Sequence, residues 1–197
     1  MKLVILDRDG TINADSADFI KTPEEWRPLP GALEAIARLN HAGWHVVVAT
    51  NQSGLGRGLF DVAALNAMHA KMHKLLAAAG GKIDAVFYCP HTPDDLCQCR
   101  KPAPGLFEQI GERYGVNLAD VSAVGDAPRD AKGAVAAGCE PHLVLTGKGA
   151  AHRGHPLPEA FPPNTQVHED LSAFVDWLVA RDISRAEHIE IESALNQ

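Results

Sequence analysis

The sequence predicts a three-layer, Rossmann-like α/β domain, a parallel sheet with helices on both faces. Two observations carry this prediction. Short apolar runs suited to buried strands alternate with stretches whose apolar residues fall at helical spacing. Polar, chemistry-bearing residues stand just after the first four of those runs, where the loops of such a sheet gather around a ligand.

The elements follow in order. Lys2–Leu6 is an apolar run ending at Asp7 and reads as a buried strand. Residues 13–30 are polar and contain proline, so they read as a loop or flap. Leu33, Ile36 and Leu39 share a helical face, and Gly43 ends that helix. His45–Thr50 is the second strand. Asp61 is placed to N-cap a helix bearing Leu65, Met68, Met72 and Leu76, which Gly80-Gly81 stops. Ile83–Tyr88 is the third strand, followed by a cysteine-rich loop and a helix over Pro104–Tyr114. Val121–Val124, a helix over Arg129–Ala137 and Leu143–Leu145 come next. Residues 147–164 read as a loop, Val167 as a short strand and Leu171–Val179 as a closing helix. The expected organisation is one domain over residues 1–183 and a tail, 184–197, forming a frayed or loosely packed helix. No segment is long enough for a large cap domain.

The 197 residues can bury a sizeable core without disulfides. The formal net charge of -7 offers no global attraction for nucleic acid or an anionic membrane, so neither is an expected partner. No apolar run approaches the roughly 20 residues that span a bilayer, and the N-terminus reads directly into a strand. A cytoplasmic monomer is expected. Three of the four cysteines, Cys89, Cys97 and Cys99, crowd together, which suits metal binding better than a disulfide framework. Cys139 stands apart and reads as a small buried side chain.

Asp7 and Asp9 flank Arg8 after the first strand, and Gly10 permits a sharp turn. Two adjacent carboxylates can divide labour, one attacking phosphorus and the other moving protons. Asp126 would add an oxygen ligand from another strand end, and magnesium prefers oxygen ligands. Taken singly, Asp-x-Asp-Gly is more often an acidic turn than a site. The preceding strand and Gly125-Asp126 reverse that judgement. Thr50-Asn51-Gln52-Ser53-Gly54 can present a hydroxyl and backbone N–H groups to phosphoryl oxygens, and Lys101 a compact cation. Asp130 can either support Asp126 or cap the next helix.

Cys89, His91, Cys97 and Cys99 make a tetrahedral zinc set with no position left for a catalytic water, so the site should be structural. It would fix the base of the segment carrying Arg100 and Lys101. His69 and His73 share a helix face without a third ligand and read as solvated, as do His152 and His155. Trp26 and Trp44 read as packing.

Together, Asp7-Arg8-Asp9-Gly10-Thr11, Thr50-Asn51-Gln52-Ser53-Gly54, Arg100-Lys101-Pro102 and Gly125-Asp126 with Asp130 resemble the haloacid dehalogenase-type phosphatases. The cysteine and histidine set narrows the resemblance to the zinc-loop group of histidinol phosphatases and heptose bisphosphatases. The resemblance runs from Lys2 to Val179 and implies a phospho-aspartate mechanism. Asp7 would be the nucleophile and a magnesium ligand, and Asp9 the general acid and base, with its backbone carbonyl reaching the metal. Thr50 and Lys101 would steady the phosphoryl group, and Asp126 would complete the protein's magnesium ligands. Asp15, Ser16, Ala17, Asp18, Asn51, Gln52, Ser53, Arg57 and Arg100 would contact a small phosphorylated sugar. The implied activity removes the 7-phosphate of a heptose 1,7-bisphosphate, supplying nucleotide-activated heptose for lipopolysaccharide. A histidinol-phosphate phosphatase, a nucleic-acid 3′-phosphatase or an inactive sugar-phosphate binding module are the rival readings. Two departures stand out: only five residues separate His91 from Cys97, and Ala127 follows Asp126 where many members of the group carry lysine.

Overall fold

The computed structural model describes the backbone of residues 1–195 and the side chains of residues 1–184. Six parallel strands form one sheet: β1 (Leu3–Leu6), β2 (His45–Asn51), β3 (Ala85–Cys89), β4 (Ser122–Gly125), β5 (Glu140–Val144) and β6 (Gln166–His168). Their order across the sheet is β3-β2-β1-β4-β5-β6. The helices are α1 (Ala32–His41), α2 (Ser53–Gly56), α3 (Val62–Ala78), α4 (Gly105–Tyr114), α5 (Pro128–Ala137) and α6 (Leu171–Leu195).

Alternation along the strands divides the interior into two layers. Val4, Leu6, Val46 and Val48 join the core beneath α1, α3 and α6. Leu3, Ile5, Val47 and Ala49 join the core beneath α4 and α5. Burial on both faces is what a parallel sheet requires, and it accounts for strands that are apolar throughout. The chain runs outward from β1 to β3, then returns to the other side of β1 as β4. That reversal opens a crevice at the carboxyl ends of β1 and β4, between loops that diverge.

Local chemistry sets the element ends. Asp61 caps α3 by accepting the Ala64 N–H at 2.8 Å, as expected. β3 starts two residues later than the sequence suggests and runs on to Cys89. It is an edge strand, and its pairing begins only opposite Val47. β5 starts earlier, at Glu140, despite Pro141. The Glu140 N–H donates to Val121 O, so alternation turns the Pro141 nitrogen toward the other side, before β6 begins opposite His142. Ser53–Gly56, to which the sequence assigns no element, forms a helical turn in which Gly54 and Gly56 lie close against Phe60 and the Pro90 carbonyl. A 3-10 turn over Gly147–His152 opens the segment expected as loop.

α6 extends well past Val179 to Leu195 and takes in residues 184–195 of the expected tail, whose side-chain packing beyond Ser184 lies outside the described residues. Residues 13–30 form the expected flap. It is closed by Ala14 N–H to Arg27 O and Leu29 N–H to Ile12 O, both at 2.9 Å. Lys71 of α3 ties it down, its Nζ donating to the Pro23 and Trp26 carbonyls at 2.6 and 2.7 Å. Trp26 and Trp44 are both packed in the core. No described helix is long and apolar enough to cross a membrane.

Candidate active site

The first four strand ends deliver their polar residues to one place. Asp7 continues the β1 ladder, its N–H donating to Val124 O at 2.8 Å, and is buried. Lys101, also buried, places Nζ 3.0 Å from Asp7 Oδ1, 2.7 Å from Asp130 Oδ1 and 2.8 Å from Ala49 O. Burial disfavours its charge, but Asp130 and Asp7 outweigh that and raise its pKa, so the ammonium persists. The backbone of Lys101 is held on both sides by Asn51, which accepts its N–H and donates to its carbonyl, each at 3.0 Å.

Asp9 is held differently. Its Oδ1 accepts from Arg8 Nε at 3.1 Å and Asn13 Nδ2 at 2.8 Å. Its Oδ2 accepts from Arg8 Nη2 at 3.1 Å and Gln52 Nε2 at 2.9 Å. Gln52 also donates to Thr50 Oγ1 at 3.0 Å. Two carboxylates two residues apart therefore have opposite surroundings, Asp7 beside an ammonium among acids and Asp9 within a cage of donors.

Asp126 is fully buried at the end of β4. Its Oδ2 accepts the Lys148 N–H at 2.7 Å, while its Oδ1 has no hydrogen-bond partner among the described residues. Carboxylate oxygens of Asp7, Asp126 and Asp130 lie within 4.8 Å of one another. Burial, then the charges of Asp7 and Asp130, push Asp126 up to about 7. An orphaned oxygen in a crowded, oxygen-only carboxylate group suits a hard divalent cation. Backbone permits the crowding: Gly10 has φ +81°, and a Cβ there would collide with Asp126. Of the two readings left open by the sequence, Asp130 takes the helix cap, accepting the Ala127 N–H at 3.0 Å, and it pairs with Lys101 rather than supporting Asp126 by a hydrogen bond.

Cys89 Sγ, His91 Nδ1, Cys97 Sγ and Cys99 Sγ form a second cluster, with hydrogen-bond-range separations running from 3.2 to 3.6 Å. A zinc–sulfur distance of about 2.3 Å corresponds to sulfur–sulfur edges of about 3.8 Å, so the four ligands nearly close a metal tetrahedron. Burial, then the adjoining Cys99 thiol, push Cys89 up to about 12, so its thiolate needs a cation. Gly105 N–H donates to Gln98 O at 3.0 Å and Arg100 Nη1 to His91 O at 3.3 Å, joining the cluster to the segment that carries Lys101. Cys139 is buried in the core, as expected.

A cavity of about 580 Å³ opens above Asp9. Asp15, Ser16, Ala17, Asn51, Gln52, Ser53, Arg57 and Arg100 line it. Asp18 does not: it is exposed, and its carbonyl accepts from Lys21 within the flap. Sequence reasoning missed Phe19, over which the Arg57 guanidinium sits at 5.8 Å, together with Arg129 and Lys148 on the same wall. Arg129 occupies the first turn of α5, two residues beyond Ala127, and restores a cation there. Lys148 follows the fifth strand end, one strand further than the loops first considered, and its Nζ pairs with Asp15 at 2.7 Å. His69 is not solvated as expected: its ring is half-buried, with Nε2 3.2 Å from Arg8 Nη1. His152 likewise leans edge-on against Phe161.

The fold and the aspartate–lysine site define a haloacid dehalogenase-like hydrolase, and residues 98–174 match the HAD-hydrolase-like family. The D-glycero-beta-D-manno-heptose-1,7-bisphosphate 7-phosphatase of Bordetella bronchiseptica is 57% identical, covering 91% of this chain and 98% of its own length. That of Pseudomonas aeruginosa is 54% identical, covering 90% and 97%. The crystal structure of the B. bronchiseptica phosphatase complexed with magnesium and phosphate superposes with a TM-score of 0.86 at 56% identity, over 92% of this chain and 99% of that one. The chain belongs to the D-glycero-D-manno-heptose-1,7-bisphosphate 7-phosphatase family.

Proposed function

We propose that this chain removes the 7-phosphate of D-glycero-β-D-manno-heptose 1,7-bisphosphate, leaving the 1-phosphate, in the supply of nucleotide-activated heptose for lipopolysaccharide. One observation carries the chemistry: Asp7 beside Lys101 and a carboxylate trio, with the caged Asp9 forming the floor of a cavity lined by Arg57, Arg100, Arg129 and Lys148. Family membership supplies the sugar.

An Asp7 oxygen attacks phosphorus and forms the phospho-aspartate as the phosphorus–oxygen bond to C7 breaks. Asp9, protonated at that moment, gives its proton to the departing sugar oxygen. Asp9 then takes a proton from the water that attacks the phospho-aspartate, releasing inorganic phosphate and restoring Asp7. Lys101 and Thr50 hold the oxygens of the transferring group, and Asp130 and Asn51 hold Lys101. Magnesium held by Asp7, Asp126 and the Asp9 carbonyl would supply the positive charge that offsets repulsion between carboxylate and phosphate dianion. Arg129 and Arg100 engage the retained phosphate, filling the charge that Ala127 leaves out. Zinc on Cys89, His91, Cys97 and Cys99 is structural and steadies the approach to Lys101. The enzyme works as a cytoplasmic monomer.

The test compares heptose bisphosphate with histidinol phosphate by kcat/KM, in wild type and Asp7→Asn. The expected result is magnesium-dependent phosphate release from the heptose ester, lowered by orders of magnitude in Asp7→Asn. Preference for histidinol phosphate would overturn the substrate, and equal release by the two proteins would overturn the nucleophile.

A further inference from the structure

α3 sends one side chain toward the catalytic aspartates that no step above uses. His69 Nε2 lies 3.2 Å from Nη1 of Arg8. Arg8 is fully buried, and its Nε and Nη2 face the two oxygens of Asp9, each at 3.1 Å. The guanidinium is thus gripped at both ends, by a carboxylate at one and an imidazole at the other. Guanidinium N–H groups only donate, so Nε2 must accept and the ring hydrogen sits on Nδ1. Burial, then the Arg8 charge, hold the ring's pKa down at about 4, in keeping with a neutral imidazole.

We infer that His69 is a positioning residue for proton transfer: acting through Arg8, it sets the direction in which Asp9 presents its proton to the leaving oxygen. The physical reason is rotational. A planar fork on a long flexible stem swings about its terminal bonds unless both ends are held, and the swing would misalign the two N–H groups it offers Asp9, leaving only Asn13 and Gln52 to orient the carboxylate. A neutral acceptor suits the task, because a carboxylate at this position would form its own ion pair and draw the arginine's charge from Asp9. α3 is itself fixed to the flap through Lys71, so the whole chain of contacts rests on packed backbone.

The inference rests on the reading of Asp9 as acid and base, and leaving-group chemistry separates the two. An alkoxide leaving from heptose bisphosphate needs a proton, whereas p-nitrophenolate leaves without one. The parameter kcat/KM reports steps through loss of that first leaving group. Asp9→Asn should therefore lose far more on the sugar ester than on p-nitrophenyl phosphate. His69→Leu, which removes the acceptor, should show the same bias in milder form, about tenfold on the sugar ester and within about twofold on the aryl ester. His69→Gln offers a carbonyl acceptor and should recover most of the loss. The ratio of the two rates comes from one preparation, so a partly folded variant does not distort it. Equal losses on both esters in His69→Leu, no loss on either, or no recovery in His69→Gln would overturn the positioning role. An Asp9→Asn enzyme without the bias would overturn the reading of Asp9 and this inference with it. Asp9→Asn biased and His69→Leu unbiased would overturn the inference alone.

Discussion

Lys101 shows how much of this site is set by single atoms. It is the shared partner of two buried acids, and its backbone is gripped by Asn51. Gly125 makes room for the arrangement, since a Cβ there would run into the Asp130 side chain. Gly125→Ala should cost about 1–3 kcal/mol by overpacking and lower kcat by pushing Asp130 off Lys101, as thermal unfolding and steady-state kinetics on one preparation would show. Arg129 makes a different prediction. Arg129→Ala should raise KM for the bisphosphate about tenfold while changing KM for a heptose carrying only the 7-phosphate by less than about twofold. Gly125 stood out in the sequence only as the neighbour of Asp126, and Arg129 did not stand out as a site residue at all. The room Gly125 makes for Asp130 depends on how α5 packs, and Arg129 lies two residues beyond Ala127, the position where many members of the group carry lysine. Asp7 was legible because it follows an apolar run directly, and Asp9 and Asp126 because each stands beside a glycine at the end of such a run.

Among the elements, the loop from Cys89 to Cys99 combines sparse apolar packing with four convergent ligands. Leu96 at its tip is 87% exposed, so hydrophobic burial does not hold this loop. The zinc proposed for the four ligands would hold it, with a strength that in isolated peptides reaches about 10–16 kcal/mol. Cys97→Ser should therefore lower the unfolding temperature by several degrees and reduce bound zinc, while the kcat of the folded fraction stays within a few-fold of wild type. Elemental analysis of protein purified without chelator should give about one zinc per chain, as one tetrahedral set requires. The ligand spacing made the convergence of the four side chains readable in advance. The helical turn over Ser53–Gly56 was not readable, because its two glycines signal a turn, and the reason they are needed, the closeness of Phe60 and the Pro90 carbonyl, lies elsewhere in the chain.

For the molecule as a whole, one contribution to acid stability lies outside the catalytic cleft. His142 of β5 is buried beside His168, Phe174 and Trp177, with Glu140 3.4 Å away and Arg181 paired to that glutamate. Burial lowers its pKa from 6.5 to about 4, although Glu140 pulls the other way. Between those values the unfolded chain binds the proton and the folded chain does not. The contribution of His142 is therefore complete above about pH 6.5 and declines as pH falls toward 4, by about 3 kcal/mol in all. Urea unfolding between pH 7 and 4.5 should show that decline, and His142→Phe should flatten it. The parallel sheet and its two covered faces followed from the alternation of strands and helices, whereas the strand order comes from the structure. The start of β5 did not follow either, because Pro141 is tolerated only through where β6 happens to begin.

The Asp15–Lys148 pair joins the flap to the loop that also donates to Asp126. The Lys148 side chain is 54% exposed, so the attraction works through water and dissolved ions weaken it. The roof of the cleft is thereby latched by a bond whose grip depends on ionic strength. Phosphate and sugar should depart faster as salt rises, and Lys148→Met should lessen that dependence, leaving the part owed to the arginines of the cleft.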